Sequence, residues 1–155
     1  MTDASTPFPL SADFGPDALR FPIDVSIPSD VRYIERVVGV IIQRCTEHQL
    51  PTRHCTLNVP VALTEALSNA MLYGNRADNS KSVRLRATLS DVSVVFEVAD
   101  QGSGFDLDAC TSDPTLGANV EREDGRGLFL MRRLMDRVER FTDGGNVVRL
   151  TLLRT

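Results

Sequence analysis

The chain has 155 residues, 42% of them hydrophobic and 25% charged, with 10 glycines and 8 prolines, which suits one globular domain with a sizeable core rather than several. Its 17 basic and 21 acidic side chains leave a net charge of −4, so no chain-wide attraction to nucleic acid or to a membrane is expected. No run approaches the ~20 apolar residues of a membrane span. The start, Met1 to Pro9, also lacks the basic and apolar regions of a signal peptide, so a cytoplasmic location is expected.

Residues 1 to 20 carry Pro7, Pro9, Gly15 and Pro16 among small polar residues and suit a flexible arm, with Phe8, Leu10 and Phe14 as its docking candidates. Ile23, Val25 and Ile27 then alternate with polar positions as a short strand that Pro28 ends. Ser29 or Asp30 offers an N-cap. Val31, Ile34, Val37, Val38, Ile41, Ile42 and Cys45 recur at steps of three and four, which predicts an amphipathic helix over 30–48. A second helix is predicted over about 58–75, capped by Asn58, with Pro60 in its first turn and Gly74 and the Asn75–Ser80 run ending it.

Val83 to Leu89 and Val92 to Ala99 read as a β-hairpin turning at Ser90-Asp91, whose second strand delivers Asp100 to the sheet edge. Residues 106–124 hold Pro114, Gly117 and several acidic side chains without apolar period, the pattern of a mobile loop. Gly127 opens a third helix with Leu128, Met131, Leu134 and Met135 on one side. Val138–Thr142 and Val147–Leu153 close the chain as two strands around Asp143-Gly-Gly-Asn146. Strands and helices fall in runs, so an α+β two-layer sandwich is predicted, with helices on one face of a mixed, largely antiparallel sheet. The three cysteines, Cys45, Cys55 and Cys110, share no CxxC spacing, and His48 and His54 flank no metal-type pattern. All three are read as thiols, with Cys45 in the core.

Three groups carry chemistry. Glu65 and Asn69 lie four residues apart and so share a helix face. Alone such a pair is more often a solvated stripe, but Ala62, Ala66, Leu67, Ala70 and Met71 crowd the same helix and turn the pair toward a cleft. There a carboxylate can accept a hydroxyl proton and an amide oxygen can hold a hard cation such as Mg²⁺. Asp100-Gln-Gly-Ser-Gly-Phe105 places a fixed acceptor beside Gly102 and Gly104, where a planar ring can approach the backbone; the plain alternative is a β-turn. Gly125-Arg-Gly-Leu128 leads into a helix whose free N–H groups can hold phosphate, with Arg126 either reaching a phosphate or solvated. Arg132, Arg133, Arg137 and Arg140 are expected on exposed faces.

In this order and spacing the three groups resemble the N, G1 and G2 boxes of the GHKL ATPase superfamily shared by DNA gyrase, ninety-kilodalton heat-shock chaperones, mismatch-repair ATPases and histidine kinases. Glu-Ala-Leu-Ser-Asn-Ala-Met-Leu-Tyr-Gly (65–74) and Gly-Leu-Phe-Leu-Met-Arg-Arg-Leu-Met-Asp (127–136) are most similar to the bacterial anti-sigma-factor serine kinases. The resemblance implies a Bergerat-type ATP-binding fold over 21–155 and ATP and Mg²⁺ as cofactors. It implies Glu65 as general base, Asn69 as metal ligand and Asp100 as the adenine-reading acid. Gly102 and Gly104 would line the base pocket, with 106–124 as the ATP lid and Gly125, Arg126, Gly127 and Leu128 at the phosphates. Implied partners are an antagonist (anti-anti-sigma) protein, phosphorylated on serine, and a sigma factor, with no direct nucleic acid, no membrane and a possible homodimer. Tyr73, where many relatives have histidine, and Asn146, where they often have threonine, depart from the pattern.

Two further readings stay open on sequence. One is a non-catalytic nucleotide-binding module that sequesters a sigma factor or a response regulator. The other is a detached module acting on a histidine-type signalling protein.

Overall fold

The computed structural model describes residues 19–102 and 126–155. Strict alternation makes β1 (Ile23–Pro28): Ile23, Val25 and Ile27 are buried, while Asp24, Ser26 and Pro28 are exposed. Proline is tolerated at the end of this strand because β1 lies at the sheet's edge. Leu19 is already fully buried, so packing begins inside the last two residues of the stretch expected to be an arm. Phe8, Leu10 and Phe14 lie outside the described residues.

Asp30 has extended backbone, and its carboxylate accepts from the Arg32 N–H at 3.0 Å, which starts a 3-10 turn (Val31–Tyr33) running into helix α1 (Ile34–Glu47). The buried stripe is Ile34, Val37, Val38, Ile41 and Cys45. Val31, expected in that stripe, is 46% exposed because the tighter turn rotates it off the face. Arg44 is buried in the same helix, its Nε donating to the Leu19 carbonyl at 3.1 Å and its guanidinium reaching Glu47.

The second helix starts earlier than expected. Helical turns begin just after Pro51, pass through a π-helical turn (His54–Asn58), continue as α2 (Val59–Asn69) and end in a second π-helical turn (Ala70–Gly74). Asn58 is therefore no cap: its backbone is helical, and its side-chain N–H₂ donates to the Leu134 carbonyl at 2.6 Å. Pro60 lacks an N–H and its ring crowds the carbonyl four residues back, and the wider π turn immediately before it accommodates that. The chain leaves the helix through Arg76 and Ala77, both at positive φ (54° and 57°), so the left-handed exit falls there and not at Gly74.

β2 (Ser82–Leu89) and β3 (Ser93–Ala99) form the expected hairpin, Ser90 N–H donating to the Ser93 carbonyl at its turn. Helix α3 (Arg126–Leu134) buries Leu128 and Met131, with Met135 beyond its end, and leaves Phe129 59% exposed. β4 (Arg137–Thr142) and β5 (Asn146–Leu153) pair across a turn in which Gly144 takes φ 72°, a conformation that favours glycine.

The five strands lie in the order β1-β2-β3-β5-β4, every described pairing antiparallel, as the largely antiparallel sheet expected from sequence requires. One sheet face (Val25, Leu85, Phe96, Val98, Leu150) joins Val37, Ile41, Leu63, Leu67 and Met131 of the three helices in a single apolar cluster. Each such side chain contributes about 1.5–3 kcal/mol by leaving water. The opposite face carries charge. Register aligns Asp24, Arg86, Glu97, Arg149 and Glu139 in one row across all five strands. Ion pairs close at Arg84–Asp24 (2.7 Å), Arg149–Glu97 (2.7 Å), Arg149–Glu139 (3.5 Å) and Arg86–Glu97 (3.6 Å). Among the described residues no helix is long and apolar enough to cross a membrane.

Candidate functional site

Helix α2 connects the two halves of the site. Glu65 and Asn69 stand one turn apart on the face that meets the start of α3, and Asn69 is only 6% exposed. A Cβ placed on Gly127 would come 3.0 Å from both Glu65 Oε1 and Asn69 Nδ2. Glycine at this position lets the first turn of α3 lie directly over the carboxylate and the amide. The helix spacing read from sequence thus brings Glu65, Asn69 and Gly127 together in space, 58 residues apart in chain for Asn69 and Gly127.

The other end of α2 reaches Asp100. Asp100 extends β3 with the parity of Phe96 and Val98, so its side chain is on the helix-facing side, and it is 6% exposed. Its Oδ1 accepts from the Gly102 N–H at 2.8 Å and from the Asn146 N–H at 3.0 Å. The second oxygen faces Gly74, where a Cβ would overlap the carboxylate. A Cβ on Gly102 would strike the Gly74 carbonyl, and one on Gly145 the Asp100 carbonyl. Three glycines therefore enclose one fixed carboxylate. Gly74, the last residue of the helical run as the sequence suggested, also serves this close approach.

Asn146 is a neighbour of the same carboxylate, its carbonyl accepting from the Asp100 N–H at 3.0 Å. Its side-chain Nδ2 is buried and has no hydrogen-bond partner among the described residues, so a donor lies unused beside a carboxylate acceptor. From Glu65 to Gly74 is nine residues of helix, about 13 Å at 1.5 Å per residue. A ligand laid along α2 would meet a glycine-walled acceptor at one end and a carboxylate, an amide and a helix N-terminus at the other.

Leu128 is 3% exposed and belongs to the core under α3, so what it offers a ligand is its backbone. Gly104, Gly125 and the expected lid 106–124 lie outside the described residues, as does the side chain of Arg126. Arg132 and Arg133 are exposed as expected, Arg133 resting over the Phe129 ring at 5.7 Å.

Sequence reasoning missed Asn75. It is fully buried, and its carboxamide joins three segments: Oδ1 accepts from the Gln101 N–H at 2.7 Å, and Nδ2 donates to the Ser82 carbonyl at 2.9 Å and to Ser29 Oγ at 3.2 Å. Gln101 Oε1 in turn accepts from the Ser82 N–H at 2.7 Å. The only signal in the sequence was a polar residue directly after a glycine at a helix end.

Among the described residues, a five-stranded antiparallel sheet with helices packed on one face is the α+β fold of a histidine kinase-like ATPase domain. The chain belongs to the histidine kinase-like ATPase domain family, whose description matches residues 27–152. Among its relatives, the serine-protein kinase RsbW of Bacillus velezensis is 28% identical over 134 residues, 83% of either chain. The serine-protein kinase RsbW of Bacillus licheniformis is 32% identical over 100 residues, 61% of this chain and 62% of its own. The anti-sigma F factor of Clostridium perfringens is 28% identical over 94 residues, 60% of this chain and 67% of its own.

Proposed function

We propose that this protein is an ATP-dependent protein-serine kinase that acts as a switchable anti-sigma factor, phosphorylating a serine of an antagonist protein in the cytoplasm. The observation that carries this reading is the approach of Gly127 to both Glu65 and Asn69, which gathers a base, a hard-cation ligand and a helix N-terminus at one point. The names of the relatives agree with it. Relatives named as serine-protein kinases favour the catalytic reading over a module that merely binds nucleotide.

The residues present fit Mg²⁺-ATP. Asp100 offers the adenine amino group an acceptor whose geometry two backbone N–H groups hold fixed. The missing Cβ atoms of Gly74 and Gly102 leave the backbone close to the Asp100 carboxylate, and that of Gly127 leaves it close to Glu65 and Asn69. The Asn69 amide oxygen is a hard ligand that would hold Mg²⁺ together with the phosphates, and the bound ion would supply charge neutralisation there. N–H groups of the first turn of α3, about Gly127 and Leu128, would bind phosphate oxygens, and Arg126 is their nearest cationic neighbour in sequence.

Glu65 would then accept the proton of the incoming serine hydroxyl as its oxygen bonds to the γ-phosphorus. The bond from that phosphorus to the β-phosphate oxygen breaks, and ADP leaves. A sigma factor and an antagonist are the proposed partners, with a homodimer the expected assembly.

The test is transfer of labelled phosphate from ATP to candidate antagonist proteins, wild type against Glu65→Gln. Glu65→Gln is expected to lower the transfer rate by about 10²–10⁴-fold, the usual worth of a general base, while nucleotide affinity stays within about twofold. Equal rates in the two proteins would remove the kinase assignment. Persistence of sigma-factor binding in Glu65→Gln would show that sequestration is separate from chemistry.

A further inference from the structure

Asp100 is fixed on one side by Gly102 and Asn146, but the peptide between Asp100 and Gly102 needs its own anchor, because Gln101 lies just beyond the end of β3. The Asn75 side chain anchors the Gln101 backbone, beside the bond that Gln101 Oε1 accepts from the Ser82 N–H. The Asn75 carboxamide accepts from Gln101 N–H (2.7 Å) with one atom and donates to the Ser82 carbonyl (2.9 Å) and the Ser29 hydroxyl (3.2 Å) with the other. In this way it ties the end of the α2 region to the exits of β1 and β3 and the entry of β2. Only a carboxamide fits, since the position needs an acceptor and two donors from one planar group of this length. Asn75 also follows Gly74 directly, the residue whose backbone touches the Asp100 carboxylate. It therefore links the two segments that flank the Asp100 carboxylate, Gly74 on one side and Gln101 on the other.

We propose that Asn75 is a specificity-determining positioning residue. By clamping Gln101 against β1 and β2 it holds Asp100 at the one height where the 6-amino group of a purine can donate to it, and so decides selectivity for adenine. The inference rests on the nucleotide reading of Asp100 given above. It goes beyond that reading by assigning base selectivity to a residue that would not touch the base.

The discriminating readout is a ratio: affinity for ATP over affinity for purine riboside triphosphate, which differs only in lacking the 6-amino group. Each affinity is measured by displacement of a fluorescent nucleotide from the full chain. Wild type is expected to prefer ATP by at least about tenfold, as for a hydrogen bond to a charged group, and Asn75→Ala to bring the ratio to about one. A residue that only stabilises the fold would lower melting temperature and active fraction and leave this ratio alone, because the ratio is read on folded molecules.

Should Asn75→Ala give no folded protein, Asn75→Asp keeps the acceptor for Gln101 but turns an oxygen toward the Ser82 carbonyl, and it is expected to lower the ratio in the same direction. A wild-type preference retained in full by the folded variant overturns the proposal and leaves the Asp100 reading intact. A wild type without preference removes the Asp100 reading and this proposal with it.

Discussion

At the scale of single residues, the site depends on side chains that are missing. Gly127 can lie over Glu65 and Asn69 only because it has no Cβ, and a methyl group there would sit 3.0 Å from both polar ends. Gly127→Ala is expected to push the carboxylate and the amide aside by a few tenths of an ångström. Phosphoryl transfer should then fall about ten- to a hundredfold, the scale on which small misplacements of reacting groups act. Thermal melting should change little, since the atoms displaced are the ends of side chains and not backbone, and a transfer rate equal to wild type would show that Gly127 does not shape the reacting end. The contrast with Asn75 is instructive. The Glu65–Asn69 pair was legible from a spacing of four, because helix geometry converts that spacing directly into neighbourhood. Asn75 was illegible, because its meaning comes from Ser29 and Gln101, 46 and 26 residues away in the chain.

At the scale of elements, apolar periodicity located α1, α3 and the strands β1 to β3, since burial of one face leaves a period of 3.6 or 2 in the sequence, while cap and turn residues placed α2 and the β4–β5 pair. What periodicity does not record is register. The row Asp24, Arg86, Glu97, Arg149 and Glu139 becomes a chain of alternating charge only once four pairings are fixed. Likewise, the π turns around α2 arise from Pro60 and from tertiary contacts such as Asn58 with Leu134, so the helix start was misplaced and Asn58 was taken for a cap. The ladder makes its own prediction. The Arg84 hydrogen bond holds the Asp24 carboxyl below its ordinary value of 3.8. A depressed carboxylate adds stability above that ordinary value and loses it as pH falls through the lower folded value. Both side chains are about half exposed, so solvent screens the pair and its effect is small. Asp24→Asn should lower the melting temperature by no more than about 4 °C at pH 7. The difference should close as pH drops below 3.8, and also in about 1 M salt, where the screening length is about 3 Å. A difference that persists under either condition would assign the loss to packing.

At the scale of the whole molecule, the core can be probed through Cys45. It is fully buried in α1, and burial, with a smaller effect of Cys55, pushes its thiol from 9.0 to about 12. The unfolded chain releases that proton near 9.0 and the native chain does not, so this thiol's contribution to stability is complete below 9.0 and declines as pH rises toward 12. With Cys110 replaced by serine, iodoacetamide at pH 8 should label Cys45 and Cys55 only as fast as the molecule opens globally, in step with loss of tertiary signal in denaturant. Rapid labelling of Cys45 in the native protein would mean that α1 opens by itself.

One fastening spans the helix layer. Asn58, at the foot of α2, grips the carbonyl of Leu134, the last residue of α3, while the opposite end of α3 lies over Glu65 and Asn69. From Gly127 to Leu134 is about 10 Å of helix, so a swing of about 10° around that grip carries Gly127 by roughly 2 Å. That travel is larger than the clearance its missing side chain provides. The nearness of glycine, acid and amide thus depends on how α3 is held, by the Asn58 bond at its far end and by the buried Leu128 and Met131 along its length. A change at Asn58, touching none of the three, would be felt at the reacting end as a change of aim.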